Sequence, residues 1–185
     1  MLLKCLLVLS LIFFSKMIKC QTIFGSDGKN YFGSGMGMQI SGIRKVDYIR
    51  SNISPKINIF FGKEINNSLR IQIGYDGFYF KMIANSDKRH YNYWNLIVEN
   101  QIINIKNSTK NSDLLKCSLQ IGGGLFQNKY FKRPNFCGEI GFTSTMKVTK
   151  NASLLLRVNS IMGWDLYQGD EDVINGVIMG VKYNF

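Results

Sequence analysis

The sequence of 185 residues contains only two prolines, one histidine and 12 acidic residues, against 23 lysines and arginines. With so little proline there is no proline-rich linker, and the composition nowhere changes abruptly, so we expect a single domain. The only long apolar run lies at the start of the chain, which excludes a helical membrane protein. The formal net charge of +11 favours a nucleic acid or an anionic membrane surface as a partner.

The chain begins with the features of a secretory signal peptide. A basic start precedes an apolar stretch, residues 5–14, that is too short to span a bilayer as a helix. We predict that residues 1–20 are removed, that 21–30 form a short lead-in and that 31–185 form the folded domain; an uncleaved anchor helix is the alternative. Without the three leader lysines the charge falls to +8, and for an exported chain we expect lipid rather than nucleic acid as the partner.

Apolar side chains alternate with small or polar ones throughout the predicted domain. Every second residue from Val177 to Phe185 is apolar, whereas the positions between them include Gly180, Lys182 and Asn184. Alternation with a period of two is typical of β-strands that have one apolar face. Turn residues separate eight such segments, and the expected strands are residues 31–43, 55–64, 68–82, 90–103, 114–126, 136–148, 152–164 and 173–185.

Three features favour an apolar face that points outward into lipid over a soluble barrel or sandwich with that face inward. Strands of about 10–14 residues match a tilted crossing of a bilayer. Connections 44–54, 84–89, 127–135 and 165–172 are long, 65–67 and 149–151 are tight, and 106–113 is intermediate. Aromatic residues near the strand ends fit interfacial girdles: Phe32, Tyr79, Tyr91, Tyr93, Phe136, Trp164, Tyr183 and Phe185. The prediction is an all-β, single eight-stranded antiparallel up-and-down transmembrane β-barrel, closed because hydrocarbon tolerates no unpaired strand edge.

The inward face is predicted to carry six cations and five anions, which is close to balance. Eight strands leave room only for side chains, and buried charges persist only when they are paired, so we expect a packed network rather than a selective pore. We predict pairs between the cations Arg70, Arg157 and Lys182 and the anions Asp76, Glu99 and Glu139. The full predicted lumen network is Lys56, Arg70, Asp76, Glu99, Lys116, Glu139, Arg157 and Lys182.

Two cysteines remain once the leader is removed. Cys117 is expected outward near the start of its strand, and Cys137 inward near the start of the next. In an antiparallel pair these starts lie at opposite ends, beyond the Cα separation of about 7 Å that a disulfide allows. We therefore expect no bridge between them.

The chain ends in Gly180-x-x-Tyr183-x-Phe185, which resembles the C-terminal signal that barrel-assembly machinery recognises in outer-membrane proteins. Met179 stands where that pattern wants a polar residue. The glycine-rich run 33–41 and the glycines 122–124 are similar to small porin-family, PorT-like barrels of Gram-negative bacteria, a likeness of pattern that covers 32–185. The resemblance implies an outer-membrane location, with the assembly machinery as a partner, and implies no activity.

Other functions remain open at this point. Some outer-membrane barrels are lipid A hydrolases with a His-x-Ser rim motif, but here His90 is followed by Asn92 in the serine position, which leaves no nucleophile to activate. A narrow porin and a secreted lipocalin-like carrier are further alternatives. We expect a non-enzymatic structural, surface-interaction or envelope-assembly component without cofactor or metal.

Basic loops offer a second kind of contact. The residues placed to meet anionic lipid, such as lipopolysaccharide, are Arg44, Lys45, Lys129, Lys132 and Arg133. The alternative is a merely solvated rim. The sequence indicates no other protein partner.

Overall fold

A computed structural model describes residues 29–41, 53–81, 88–107, 112–128, 134–164, 166 and 171–185. It contains eight strands: β1 (Asn30–Ser41), β2 (Ile53–Glu64), β3 (Leu69–Lys81), β4 (Lys88–Asn107), β5 (Ser112–Asn128), β6 (Asn135–Lys147), β7 (Ala152–Trp164) and β8 (Glu171–Asn184). Within these ranges no helix has the length and apolarity to cross a membrane. The predicted leader, residues 1–20, lies outside the described residues, as does most of the lead-in.

Each strand pairs antiparallel with its neighbours along the chain, and β1 pairs with β8 to close the barrel. The closing register runs from Tyr31 opposite Asn184 to Ser41 opposite Ile174. Closure leaves no strand with a free edge, which is the arrangement that hydrocarbon requires. The predicted eight-stranded antiparallel up-and-down barrel is confirmed.

The two faces of the sheet are separated as alternation predicts. Along β2, Lys56, Asn58 and Phe60 are buried in the lumen, whereas Ile57 and Ile59 face outward. The same pattern surrounds the barrel with exposed apolar side chains, including Met36, Ile73, Leu96, Ile121, Val158 and Met179. A soluble carrier would need these groups inside, so the lipocalin-like alternative is at odds with the observed faces.

The hairpin of β4 and β5 is longer than the sequence pattern predicts. β4 runs to Asn107 and β5 begins at Ser112, so the connection taken as 106–113 is shorter than expected. The register shifts between Gln101 and Ile103 and again near Lys106. Such bulges interrupt strict alternation, and this is why the polar-apolar pattern hid the end of the strand.

Two tight turns mark one end of the barrel, which we call the turn-side mouth. Between β2 and β3 the side-chain oxygen of Asn66 accepts hydrogen bonds from the backbone N–H groups of Ser68 and Leu69, both at 2.8 Å. Between β6 and β7 the hydroxyl of Thr149 accepts one from the N–H of Ala152 at 2.9 Å. The opposite end, where the longer connections lie, is called the loop-side mouth.

Candidate functional site

The lumen is the candidate functional site, because it holds nearly all of the buried charge among the described residues. Near its middle, Lys56 Nζ lies 2.8 Å from Asp76 Oδ2, and both side chains are almost fully buried. Asn58 donates a second hydrogen bond to the Asp76 carboxylate, and Lys56 donates to Asn159 Oδ1 at 3.3 Å. Side chains of β2, β3 and β7 thus surround the pair, and a buried ion pair needs such polar neighbours.

A second group of charges forms around Glu99 on β4. The guanidinium groups of Arg157 and Arg70 each pair with its carboxylate at 3.4 Å, and the Gln120 side-chain amide donates a hydrogen bond to it at 2.6 Å. Arg157 also donates to Gln72 Oε1 at 3.1 Å and lies 4.7 Å from the centre of the Phe60 ring. The guanidinium spans the lumen and joins side chains from four strands into one network.

The other predicted members of the lumen network have partners that differ from the expected ones. Glu139 accepts hydrogen bonds from the amides of Asn159 at 2.6 Å and Asn95 at 3.1 Å. In the part of the chain that is described, no cation lies within ion-pairing distance of Glu139. Lys182 instead pairs with Glu64 at 3.0 Å. Lys116 is half-buried near the turn-side mouth, away from the central network.

The loop-side half of the lumen contains an apolar cluster, which the sequence pattern did not predict. Tyr91 and Tyr93 were assigned to an interfacial girdle, and this assignment is wrong, since both are buried inside the barrel. They share the inward face of β4 with Asn95, so the register that puts Trp94 outward already implied their position. Both tyrosines belong to one buried apolar cluster, whose other members are Phe126, Cys137, Ile161, Leu166 and Ile174.

Ring contacts hold this apolar cluster together. Tyr91 stacks on Phe126 with 4.9 Å between ring centroids, and its hydroxyl donates to Gln39 Oε1 at 2.6 Å. Tyr31, Phe60 and Leu155 form a smaller buried cluster, and the charged ends of Lys182 and Arg157 lie over its two aromatic rings. Apolar clusters and charged groups together fill the lumen.

The two cysteines lie apart, as their strands predict. Cys117 is opposite Ser144, and Cys137 is opposite Gly124, so they lie at different levels of the β5–β6 pair. Both are free thiols.

The histidine is at the loop-side mouth. His90 Nδ1 lies 3.1 Å from the carbonyl oxygen of Phe78, and its ring meets that of Tyr79 edge-on. A recess of about 350 Å³ beside it is lined by His90, Asn92, Gln127 and Asn128. These lining residues include no serine, threonine or cysteine. Elsewhere among the described residues, no three His, Cys, Asp or Glu side chains gather as metal ligands would.

The predicted assembly signal lies at the turn-side end of β8. Tyr183 and Phe185 face outward, and the Phe185 ring lies 6.2 Å from that of Phe61. Gly180 fits against the β1 backbone, where a side chain would meet the Ser34 carbonyl oxygen. The predicted lipid contacts of the loops lie outside the described residues: Arg44, Lys45, Lys129, Lys132 and Arg133.

No protein-family model matches the sequence, and no curated protein matches it. Several solved structures share the fold. Neisserial surface protein A superposes with a TM-score of 0.67 at 13% identity, covering 84% of this chain and 97% of that chain. The N-terminal β-barrel domain of OprF from Pseudomonas aeruginosa gives 0.51 at 10% identity, covering 86% and 100%. The outer membrane enzyme PagL gives 0.51 at 15% identity, covering 82% and 98%.

The fold is that of the small outer-membrane barrels. These three structures include both an enzyme and a surface protein, and a shared scaffold does not carry an activity with it. Sequence identities this low transfer the architecture alone, so function has to be argued from the residues of this chain.

Proposed function

We propose that the protein is a small outer-membrane β-barrel, closed along its axis, that acts as a non-enzymatic structural, surface-interaction or envelope-assembly component. The observation that carries this is the combination of an apolar outer surface with a filled lumen. Met36, Ile73 and Met179 are 73%, 62% and 69% exposed on that surface. Apolar side chains so exposed around a whole barrel require a lipid solvent.

The porin-family, PorT-like resemblance supports the same location, as does the predicted leader of residues 1–20. We propose that Gly180, Tyr183 and Phe185 form the signal by which assembly machinery inserts the barrel. The outward aromatics at the end of β8 support this, because they leave the signal on the lipid-facing side. We further propose that the basic loops meet anionic outer-leaflet lipid such as lipopolysaccharide.

Location is tested by fractionation. The chain is expected in the outer-membrane fraction, and its gel mobility is expected to change on heating, because a closed barrel resists detergent until it is boiled. A β-signal variant, Phe185→Ala, is the comparison, and less heat-modifiable protein is expected from it. Recovery of the unaltered chain in the soluble periplasmic fraction would contradict the membrane assignment.

A closed lumen makes the protein a poor channel. Buried apolar and charged side chains fill the axis, and the ion pair of Arg157 with Glu99 joins β7 to β4 across the barrel. Purified protein in a planar bilayer is therefore expected to show no steady conductance above the unmodified bilayer. A wide porin inserted in the same bilayer serves as the control. Large, steady currents would instead favour the narrow-porin alternative.

An enzyme is the second candidate, since the outer membrane enzyme PagL shares the fold, and lipid A hydrolysis is the activity that the sequence left open. The rim recess at His90 offers a base, yet Asn92 stands where that reaction needs a nucleophile. The Phe78 carbonyl beside the imidazole supports a packing role for this histidine. Deacylation of lipid A that disappears in His90→Ala would overturn the non-enzymatic assignment.

A further inference from the structure

A cavity of about 410 Å³ opens at the turn-side mouth, and the buried side chains of Arg70 and Lys182 line it. Its lining includes the side-chain carboxylate of Glu64, and Phe185, which also lines it, carries the C-terminal carboxylate. Against these two acids stand six basic side chains: Lys29, Arg70, Lys116, Lys147, Lys150 and Lys182. Positive charge therefore exceeds negative charge in the lining, and we call the cavity the basic vestibule.

The inner end of the basic vestibule is held in place by Glu64. Its Oε1 atom accepts a hydrogen bond from Lys182 Nζ at 3.0 Å and forms an ion pair with Arg70 Nε at 3.3 Å. Lys182 Nζ also lies 4.0 Å from the centre of the Tyr31 ring. Arg70 also pairs with Glu99 of the central network, so the inner end is close to charge balance and the excess positive charge lies at the rim.

The rim of the basic vestibule is formed by exposed cations. Lys147 ends β6, and Lys150 lies in the tight turn that follows. In that turn the backbone N–H of Ala152 donates a hydrogen bond to the Thr149 hydroxyl, which fixes the backbone around Lys150. Within the described ranges, no carboxylate lies at ion-pairing distance from Lys29, Lys147 or Lys150. Their charges face the opening and repel one another when the basic vestibule holds no anion.

We propose that the basic vestibule is an anion site for a compound with linked or multiply charged phosphate groups. A ligand with one negative charge would compensate only one of the three rim lysines, Lys29, Lys147 and Lys150. The lining residues are charged or polar except Leu114 and Phe185, so charge and hydrogen bonds would orient the ligand. Asn151 and Ser153 add an amide and a hydroxyl that can donate to phosphate oxygens. The volume lies within the range of small-molecule sites, about 300–1,000 Å³.

The site is tested with inorganic tripolyphosphate and the full chain in zwitterionic detergent, by titration calorimetry at low salt. Binding is expected, and it should weaken as salt rises because exposed charges are screened. The variant Lys147→Gln/Lys150→Gln is expected to weaken binding at least about tenfold, since it removes two rim charges. Heat-modifiable mobility establishes that each variant is a folded barrel.

The matched control is Lys63→Gln/Lys106→Gln. It removes the same charge at the same mouth, from side chains that do not line the basic vestibule, and its affinity is expected to match that of the unaltered protein. Equal weakening in both double variants, or no binding by the unaltered protein, would overturn the proposal.

A second arm distinguishes a free phosphate compound from a lipid headgroup. The titration is repeated in nanodiscs of phosphatidylcholine, with and without cardiolipin, a lipid with two linked phosphate groups. Loss of tripolyphosphate binding only in the anionic discs, together with retention of cardiolipin by the unaltered protein and not by Lys147→Gln/Lys150→Gln, identifies a headgroup site. Binding that persists in both discs identifies a soluble ligand. Both results keep the phosphate site and differ only in its source.

Discussion

Replacing Lys56 by Met is expected to destabilise the barrel by about 3–5 kcal/mol, because the buried carboxylate of Asp76 then loses its cation. Lys56 and Asp76 are almost fully buried and 2.8 Å apart, and no other cation in the described residues pairs with Asp76. Methionine matches the length of the lysine stem, so little cavity forms. The measurement is the free energy of unfolding in urea, followed by tryptophan fluorescence in lipid vesicles.

The double variant Lys56→Met/Asp76→Asn separates charge from packing. It removes both charges and keeps an oxygen that can accept the hydrogen bond from Asn58, so most of the lost stability is expected to return. The variant Lys63→Met is the control for lysine loss outside the lumen and is expected to change stability by less than about 0.5 kcal/mol. If the double variant were as unstable as Lys56→Met, packing rather than unpaired charge would be the cause.

Arginine placed on the outward face is expected to lower the free energy of unfolding, and the loss is expected to be larger at positions deeper in the membrane. Ile121 lies near the middle of β5 opposite Ile140 and is exposed on the outer surface. In a membrane this position meets the hydrocarbon core, so Ile121→Arg is expected to cost about 2–4 kcal/mol. The same unfolding measurement in lipid vesicles gives the value.

Val148 provides the depth control. It is equally apolar and exposed, but it follows the end of β6 at the turn-side mouth, where lipid headgroups are expected. Val148→Arg is therefore expected to cost no more than about 1 kcal/mol. Equal costs at Ile121 and Val148 would mean that the outer surface does not lie in a bilayer.

The architecture of this barrel could be predicted because it depends on local alternation. Along β2 and β8 the apolar residues recur at every second position, and the structure places them outward as expected. The need to pair every backbone group then requires β8 to meet β1. Both arguments use only neighbouring residues and the properties of the solvent, so one sequence was enough for them.

The contents of the lumen were predicted less completely. Lys56, Arg70, Asp76, Glu99 and Arg157 were identified as inward charges, and the structure joins them in ion pairs. The partners were not all those expected, since Lys182 pairs with Glu64 and Glu139 takes amide donors. Lys182 and Glu64 are 118 residues apart, and nothing local links them.

Tyr91 and Tyr93 are aromatic residues whose neighbours in the lumen the sequence likewise did not predict. Their aromatic character matched both an interfacial girdle and a lumen cluster, and only the packing of Phe126 and Ile174 against them separates the two. Alternation along the chain assigns a residue to a face of the sheet. The tilt and stagger of eight strands decide which inward residues meet across the lumen, and those quantities exist only once the barrel has closed.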